Sequence, residues 1–244
     1  MARVVAAIMA GGEGRRFRPY TDLIPKPMVP VGPEEKPLLE IILRWLKRHG
    51  VEDFVFLLGY RWRQVINYFD AGDRWGVRIR FTVDDDEYQG TGGALVKALR
   101  EGLLDADTIL VWYGDILAPL DVSALLENHM ASGAASTVAV ASRYKVPVGV
   151  AELDDELNVV SLREKPWVNL HVTIGVLAVE KRLVEWAAGR LGKRFDIMGD
   201  MLPHAIREGW QVKAYIHRGP WFDVGSWERY QKLDLDAIKE ILEA

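Results

Sequence analysis

Apolar residues along the chain fall into two alternating kinds of run. Val4-Val5-Ala6-Ala7-Ile8-Met9-Ala10 is short, continuous and closed by Gly11-Gly12, the pattern of a strand buried on both faces of a parallel sheet. Residues 38–49 instead carry Leu38, Ile42, Trp45 and Leu46 at helical spacing, with Gly50 placed to end the helix. The alternation continues. Residues 54–58 read as a strand, 62–69 as a helix, 77–83 as a half-buried strand, 94–103 as a helix and 108–112 as another buried strand. Strands separated by helices imply βαβ units with right-handed crossovers.

The second half changes rhythm. Residues 148–153 and 159–163 flank the polar turn Asp154-Asp155-Glu156 and predict an antiparallel hairpin. Residues 172–179 and 212–216 are further strand candidates. Ser226 is placed to cap a last helix with Leu233, Leu235, Ile238 and Leu242 on its apolar side. The fold class is therefore α/β, with a Rossmann-like, mostly parallel (mixed) sheet flanked by helices and an antiparallel portion in the second half. With no repeat or linker, residues 1–244 form one domain of two halves, about 1–120 and 121–244.

Composition narrows the chemistry. The 244 residues are 49% hydrophobic and 27% charged, an ordinary globular balance, and the net charge of -4 argues against a general nucleic-acid binder. No cysteine is present, so disulfides, thiolate metal sites and cysteine nucleophiles are excluded. No run approaches the roughly 18 apolar residues of a membrane span, and the glycines end the first apolar run too early for a signal segment. The expected location is the cytoplasm.

The stretch richest in chemistry is Gly11-Gly12-Glu13-Gly14-Arg15-Arg16-Phe17-Arg18-Pro19-Tyr20-Thr21, directly after the first strand. Loops at the carboxyl ends of parallel strands are where α/β folds bind ligands, and glycines let backbone N–H groups converge on an anion. Arg15-Arg16 stands where a P-loop needs Lys-Ser/Thr, and Phe17 stands where the dinucleotide fingerprint needs a third glycine. A glycine loop carrying guanidiniums remains, followed by Pro25-Lys26-Pro27, whose prolines stiffen the segment that aims Lys26. The competing reading of this loop alone is a solvated basic turn.

The motif Gly11-Gly12-x-Gly14-x-Arg16-x-x-Pro19-x-Thr21, followed by Pro25-Lys26-Pro27-Met28-x-Pro30-Val31, closely resembles the signature of the sugar-nucleotide pyrophosphorylases, or sugar-1-phosphate nucleotidyltransferases. Further motifs follow in that family's order: Gly90-Thr91-Gly92-Gly93-Ala94, Gly114-Asp115, Gly149-Val150, Glu164-Lys165-Pro166 and Trp221-Phe222-Asp223-Val224-Gly225. The resemblance implies a nucleotide-binding first half and a sugar-phosphate-binding second half, without a C-terminal β-helix domain. It also implies a Mg2+-dependent reaction between a nucleoside triphosphate and a sugar 1-phosphate. Homo-oligomers are common in that family.

Residue by residue, the resemblance assigns Ala10, Gly11, Gly12, Gly14, Arg16, Lys26, Asp85, Gly90 and Thr91 to the nucleotide. Arg16, Lys26 and Asp115 carry catalysis, with Arg16 on the β- and γ-phosphates and Lys26 on the α-phosphate; Arg15 holds a variable position. Asp115 and Asp223 are the metal ligands, although each as a lone residue also reads as a cap or turn aspartate. Gly149, Glu164, Lys165 and Thr173 hold the sugar phosphate. Thr173-Ile174-Gly175 replaces the family's usual Asn-Ala-Gly, and Val148 replaces its usual Tyr, which leaves the sugar open.

Asp85 falls where relatives carry a base-reading Gln or Glu. A carboxylate only accepts hydrogen bonds, which suits the N1–H and N2 amine of guanine and points to GTP. The alternatives are a UTP- or dTTP-dependent glucose-1-phosphate enzyme, a regulatory subunit that binds without turnover, or simply a solvated acidic turn at Asp84-Asp85-Asp86-Glu87. Of nine tryptophans, Trp167 and Trp221 are the two beside site motifs, and His171 lies near the sugar motifs.

Overall fold

The computed structural model describes residues 3–244. Nine strands organise it: β1 (Val4–Ala10), β2 (Asp53–Leu58), β3 (Arg78–Val83), β4 (Thr108–Tyr113), β5 (Ser136–Ala141), β6 (Val150–Leu153), β7 (Val159–Arg163), β8 (Val172–Glu180) and β9 (Val212–His217). All but β6 and β7 join one seven-stranded sheet in the order β9-β5-β8-β4-β1-β2-β3. Strand β1 runs parallel to β2 and β4, β3 parallel to β2, and β9 parallel to β5. Only β8 is reversed within that sheet, antiparallel to both β4 and β5. The carboxyl ends of β1 to β4 therefore open on one edge.

The continuous apolar run of β1 has the cause inferred from it. Ala6 and Ile8 enter one core layer while Val5 and Ala7 enter the other. The first layer is covered by α1 (Leu38–Arg48), α2 (Trp62–Phe69) and α4 (Val122–Ser132). On the second lie α3 (Gly90–Arg100), α5 (Lys181–Arg190) and α6 (Leu202–Arg207). The hairpin of β6 and β7 stands outside the sheet, paired only with itself. Among the described residues, no helix is long and apolar enough to cross a membrane.

Two expected elements differ. Helix α3 begins at Gly90 and not at residue 94, so the second glycine cluster is itself the first helical turn. Close packing explains the glycines: a β-carbon on Gly92 would lie 2.1 Å from the Phe195 ring, and one on Gly93 2.4 Å from the Lys193 carbonyl oxygen. The last helix is broken into two single turns, α7 (Trp227–Tyr230) and α8 (Lys239–Leu242). Ser226 caps the first through its hydroxyl, which accepts from the Arg229 N–H at 3.3 Å. The Asp234 carboxylate accepts from the Ala237 N–H at 3.0 Å and closes a separate turn, an interruption of a kind short polar side chains favour.

Strand β5 escapes a periodicity reading because it opens on polar residues. Ser136 and Thr137 are nonetheless fully buried. Ser136 donates to the Ala178 carbonyl at 2.9 Å, and Thr137 shares a 2.9 Å hydrogen bond with the buried His129 ring. Satisfied in this way, buried hydroxyls need not disrupt a core strand.

Candidate active site

The first glycine loop leaves the end of β1 and is fixed by its aromatic residues. Phe17 is fully buried and meets Trp227 and Tyr230 edge-on, at 6.1 and 5.9 Å between centroids, while Tyr20 stacks on Trp227 at 4.2 Å. Gly14 adopts φ 63° at the start of the Arg15–Phe17 turn, and its carbonyl accepts from the Phe17 N–H and the Thr21 hydroxyl. These contacts carry Arg16 to the C-terminal motif, where a β-carbon on Gly225 would lie 3.0 Å from Arg16 Nη2 and 2.4 Å from Asp223 Oδ1. Arg15 turns outward and pairs with Glu13 at 2.6 Å, as expected of a variable position.

A cavity of about 420 Å³ lies at the carboxyl edge of the sheet, a size suited to a small ligand. Of the expected site residues, Ala10, Gly11, Gly12, Lys26, Gly90, Thr91 and Asp115 line it. Lys26 opens a short turn between Pro25 and Pro27, and its ammonium donates to Asp115 Oδ2 at 2.6 Å. Asp115 sits in the turn that leaves β4. The indole N–H of fully buried Trp112 fixes that turn by donating to the Ile116 carbonyl at 2.9 Å.

Asp85, expected to read the base, does not line the cavity. Its Oδ1 accepts from the N–H groups of Glu87 and Tyr88, each at 2.9 Å, and its Oδ2 pairs with Lys97 at 2.6 Å. Lys97, together with those two amides, holds its pKa down to about 2. Of the acidic run 84–87, the residue on the cavity wall is Asp84, whose N–H extends the sheet by donating to the Leu58 carbonyl at 2.7 Å. Burial raises the Asp84 pKa, against a lowering influence from Lys97. Asp84 also explains Gly11, where a β-carbon would stand 2.3 Å from Asp84 Oδ2. The clue in the sequence is that Asp84 follows β3 directly, as a residue presented at a strand end.

Asp196 is a second wall residue without any sequence signal. Its Oδ1 accepts from the N–H and hydroxyl of Thr91 at 3.0 and 3.1 Å. The Tyr113 hydroxyl approaches Thr91 Oγ1 at 3.4 Å, and its pKa is raised, chiefly by burial. The N–H groups of Gly92 and Gly93 donate to the Phe195 carbonyl at 2.9 and 3.2 Å. The second glycine cluster thus spends these donors on the strap of residues 193–196 and not on an anion.

Asp223 lies outside the cavity lining but next to Asp115. It pairs with Ile116 in a short antiparallel contact, and the Val224 N–H donates to the Asp115 carbonyl at 2.8 Å. One Asp223 oxygen pairs with Arg229, while Oδ1 is buried without a hydrogen-bond partner. A buried carboxylate oxygen with open lone pairs beside a second aspartate fits a hard divalent cation. Among the described residues, no three acidic or histidine side chains gather into a ready cage, so this donor set suits a cation completed by phosphate oxygens and water.

The sugar-side candidates lie away from the cavity lining. A β-carbon on Gly149 would sit 3.2 Å from Glu164 Oε2, so these two adjoin. Lys165 adopts φ 45° and stands 3.5 Å from Glu164. Thr173 is exposed on β8, just before the bulge at Gly175. Trp167 is 55% exposed beneath the Arg143 guanidinium, at 4.9 Å; Trp221 packs half-buried against the core, and His171 is exposed.

Residues 5–240 match the family model described as nucleotidyl transferase. A UTP–glucose-1-phosphate uridylyltransferase of Synechocystis sp. is 29% identical over 235 residues, covering 90% of this chain and 60% of that protein. A D-glycero-alpha-D-manno-heptose 1-phosphate guanylyltransferase of Aneurinibacillus thermoaerophilus is 27% identical over 231 residues, covering 93% of this chain and 95% of that one. The crystal structure of HddC from Yersinia pseudotuberculosis complexed with GMP-PN superposes with a TM-score of 0.72 at 23% identity, covering 98% and 99% of the two chains. That last likeness shows the fold.

Proposed function

Because this chain belongs to the nucleotidyl transferase family, we propose that it joins a nucleoside triphosphate, GTP in the first instance, to a sugar 1-phosphate and releases pyrophosphate. The observation that carries the reaction is the Lys26–Asp115 pair on the wall of a cavity opened by glycine-lined strand ends. An oxygen of the sugar phosphate attacks the α-phosphorus. A new P–O bond forms there as the bond to the bridging oxygen breaks, and pyrophosphate leaves with that electron pair. Two anions must meet, so positioning and cation clamps matter more than acid–base groups.

In this reading Lys26 takes the α-phosphate oxygens as a compact point charge, and Arg16 takes the outer phosphates. Gly11, Gly12 and Gly14 keep the backbone close to the phosphates, and Gly90 and Thr91 border the base. Gly149, Glu164, Lys165 and Thr173 remain the candidates for the acceptor. Asp115 and Asp223 would hold Mg2+, which when bound neutralises charge building on the phosphoryl oxygens.

The preference for GTP rests on Asp84. An acceptor-only group on the cavity wall complements the donor edge of guanine, and one relative that this chain spans nearly end to end is a guanylyltransferase. A second reading is favoured by the Synechocystis relative: UTP with glucose 1-phosphate. Pyrophosphate release, measured for each common NTP against mannose, heptose, glucose and N-acetylglucosamine 1-phosphates, separates them. Turnover confined to GTP and a manno-configured sugar supports the first reading, and turnover with UTP or dTTP supports the second. Tight nucleotide binding without release would mark a regulatory subunit.

Asp84→Asn provides the matching variant. It should lower kcat/KM for GTP by about ten- to a hundredfold, because an amide presents a donor to a donor and leaves a base N–H unpaired. Wild-type KM for GTP should also rise on acidification, starting above the ordinary aspartate range, since burial raises the Asp84 pKa and only its ionised form accepts both bonds. A KM for GTP unchanged by either the substitution or acid would remove Asp84 from the base pocket.

A further inference from the structure

Asp223 has a second partner that none of the site motifs includes. Arg229, six residues along the chain, closes its guanidinium on Asp223 Oδ2. Arg229 rides on α7, a turn capped by Ser226 and anchored on both sides. Trp227 and Tyr230 pack on Phe17, and the Tyr230 hydroxyl donates to the Pro30 carbonyl at 2.6 Å. The Arg16 guanidinium is also beside Gly225, 3.0 Å from where its β-carbon would stand. The Asp223 carboxylate is thus paired with Arg229, with the Arg16 guanidinium nearby and Oδ1 buried and unpartnered. Asp115 is likewise matched with Lys26 at 2.6 Å.

We propose that Arg229 is a built-in counter-ion of Asp223, which keeps the nucleotide-free enzyme from binding a divalent cation and yields Asp223 when a triphosphate arrives. The proposal rests on the reading of Asp115 and Asp223 as the metal pair. A cation approaching this site without nucleotide meets carboxylates already paired with Lys26 and Arg229, so attraction at a few ångströms is largely cancelled. A triphosphate reverses this balance. Its oxygens give Lys26 and Arg16 new anionic partners and add oxygen ligands for the cation, so metal and nucleotide bind as a coupled pair. Because Arg229 acts through Asp223 and touches no substrate, it is a positioning residue.

The test is Mn2+ titration of the whole protein, with free Mn2+ read by electron paramagnetic resonance, with and without a non-hydrolysable triphosphate. Arg229→Gln should bind Mn2+ about five- to tenfold more tightly than wild type without nucleotide, the scale of one nearby charge removed from a partly exposed site. Arg229→Lys should stay within about twofold of wild type, because the charge is kept. With the triphosphate present, the gap between Arg229→Gln and wild type should narrow to about twofold. Thermal unfolding of each variant confirms that it is folded. If Asp223→Asn weakens Mn2+ binding but Arg229→Gln leaves it equal or weaker, Asp223 is a metal ligand and the counter-ion proposal is overturned. If Asp223→Asn changes nothing, the metal reading of Asp223 falls and takes the proposal with it.

Discussion

Lys26→Ala should lower kcat for pyrophosphate release by about a thousandfold, while KM for the triphosphate rises by less than about tenfold. Losing one preorganised donor to a developing oxyanion costs about 10²–10³ in kcat, and a full cation on the α-phosphate lies at the upper end. The structural argument is the aim of the side chain. Pro25 and Pro27 stiffen its segment, and the side chain, only 16% exposed, holds its ammonium on Asp115 at 2.6 Å. Lys26→Arg should recover little, because a planar fork replaces a compact charge at the end of a rigid turn. The fold should survive both changes, since neither Lys26 nor Asp115 belongs to the hydrophobic core. Steady-state kinetics with a titrated triphosphate is the check. A kcat within tenfold of wild type would place the α-phosphate elsewhere.

Gly90→Ala is the substitution expected to damage the fold itself. Gly90 has φ 76°, and a β-carbon there would meet the Phe195 carbonyl oxygen at 2.5 Å and Asp196 Oδ1 at 3.1 Å. The left-handed conformation alone costs a non-glycine residue about 1–2 kcal/mol, and a backbone contact that cannot relax adds about 1–3 kcal/mol. A total near 3 kcal/mol should lower Tm by roughly 6–12 °C in a chain of this size. Gly12→Ala is the internal control: nothing lies within 4 Å of its added carbon and its φ is not left-handed. Its Tm should be unchanged while KM for the nucleotide rises, because Gly12 lines the cavity. Equal melting temperatures for Gly90→Ala and wild type would show that the strap at 193–196 yields.

Much of the cavity lining was legible in the sequence because its signals are local. An apolar run ended by glycines marks a buried strand and the loop after it, and Lys26 between prolines announces a rigid, directed charge. The cavity wall differs from the expectation by one residue. Asp84 and Asp85 are chemically identical, and only the strand end decides which faces the cavity: the ladder runs through the Asp84 N–H, while Asp85 turns to cap the following amides. Asp196 was invisible for a different reason. Its partner Thr91 is 105 residues away, and no spacing rule spans such a distance. The second cluster resembled a ligand-binding glycine loop, but Gly92 and Gly93 are small because Phe195 and Lys193 press against them. Packing and ligand binding select the same residue there, and sequence cannot separate the two causes.

The reversed strand has a consequence for how the molecule can be taken apart. β8 belongs to the second half of the chain, yet it lies between β4 and β5 and completes the sheet on which the first half depends. A cut near residue 120 would leave β4 with an open edge and remove Asp196 from Thr91. Neither fragment would be a module that another protein could borrow alone. The place that tolerates interruption without separation is the tip of the hairpin, residues 154–157, where every residue is exposed and the hairpin pairs only with itself. Insertions that keep the chain continuous belong at that tip.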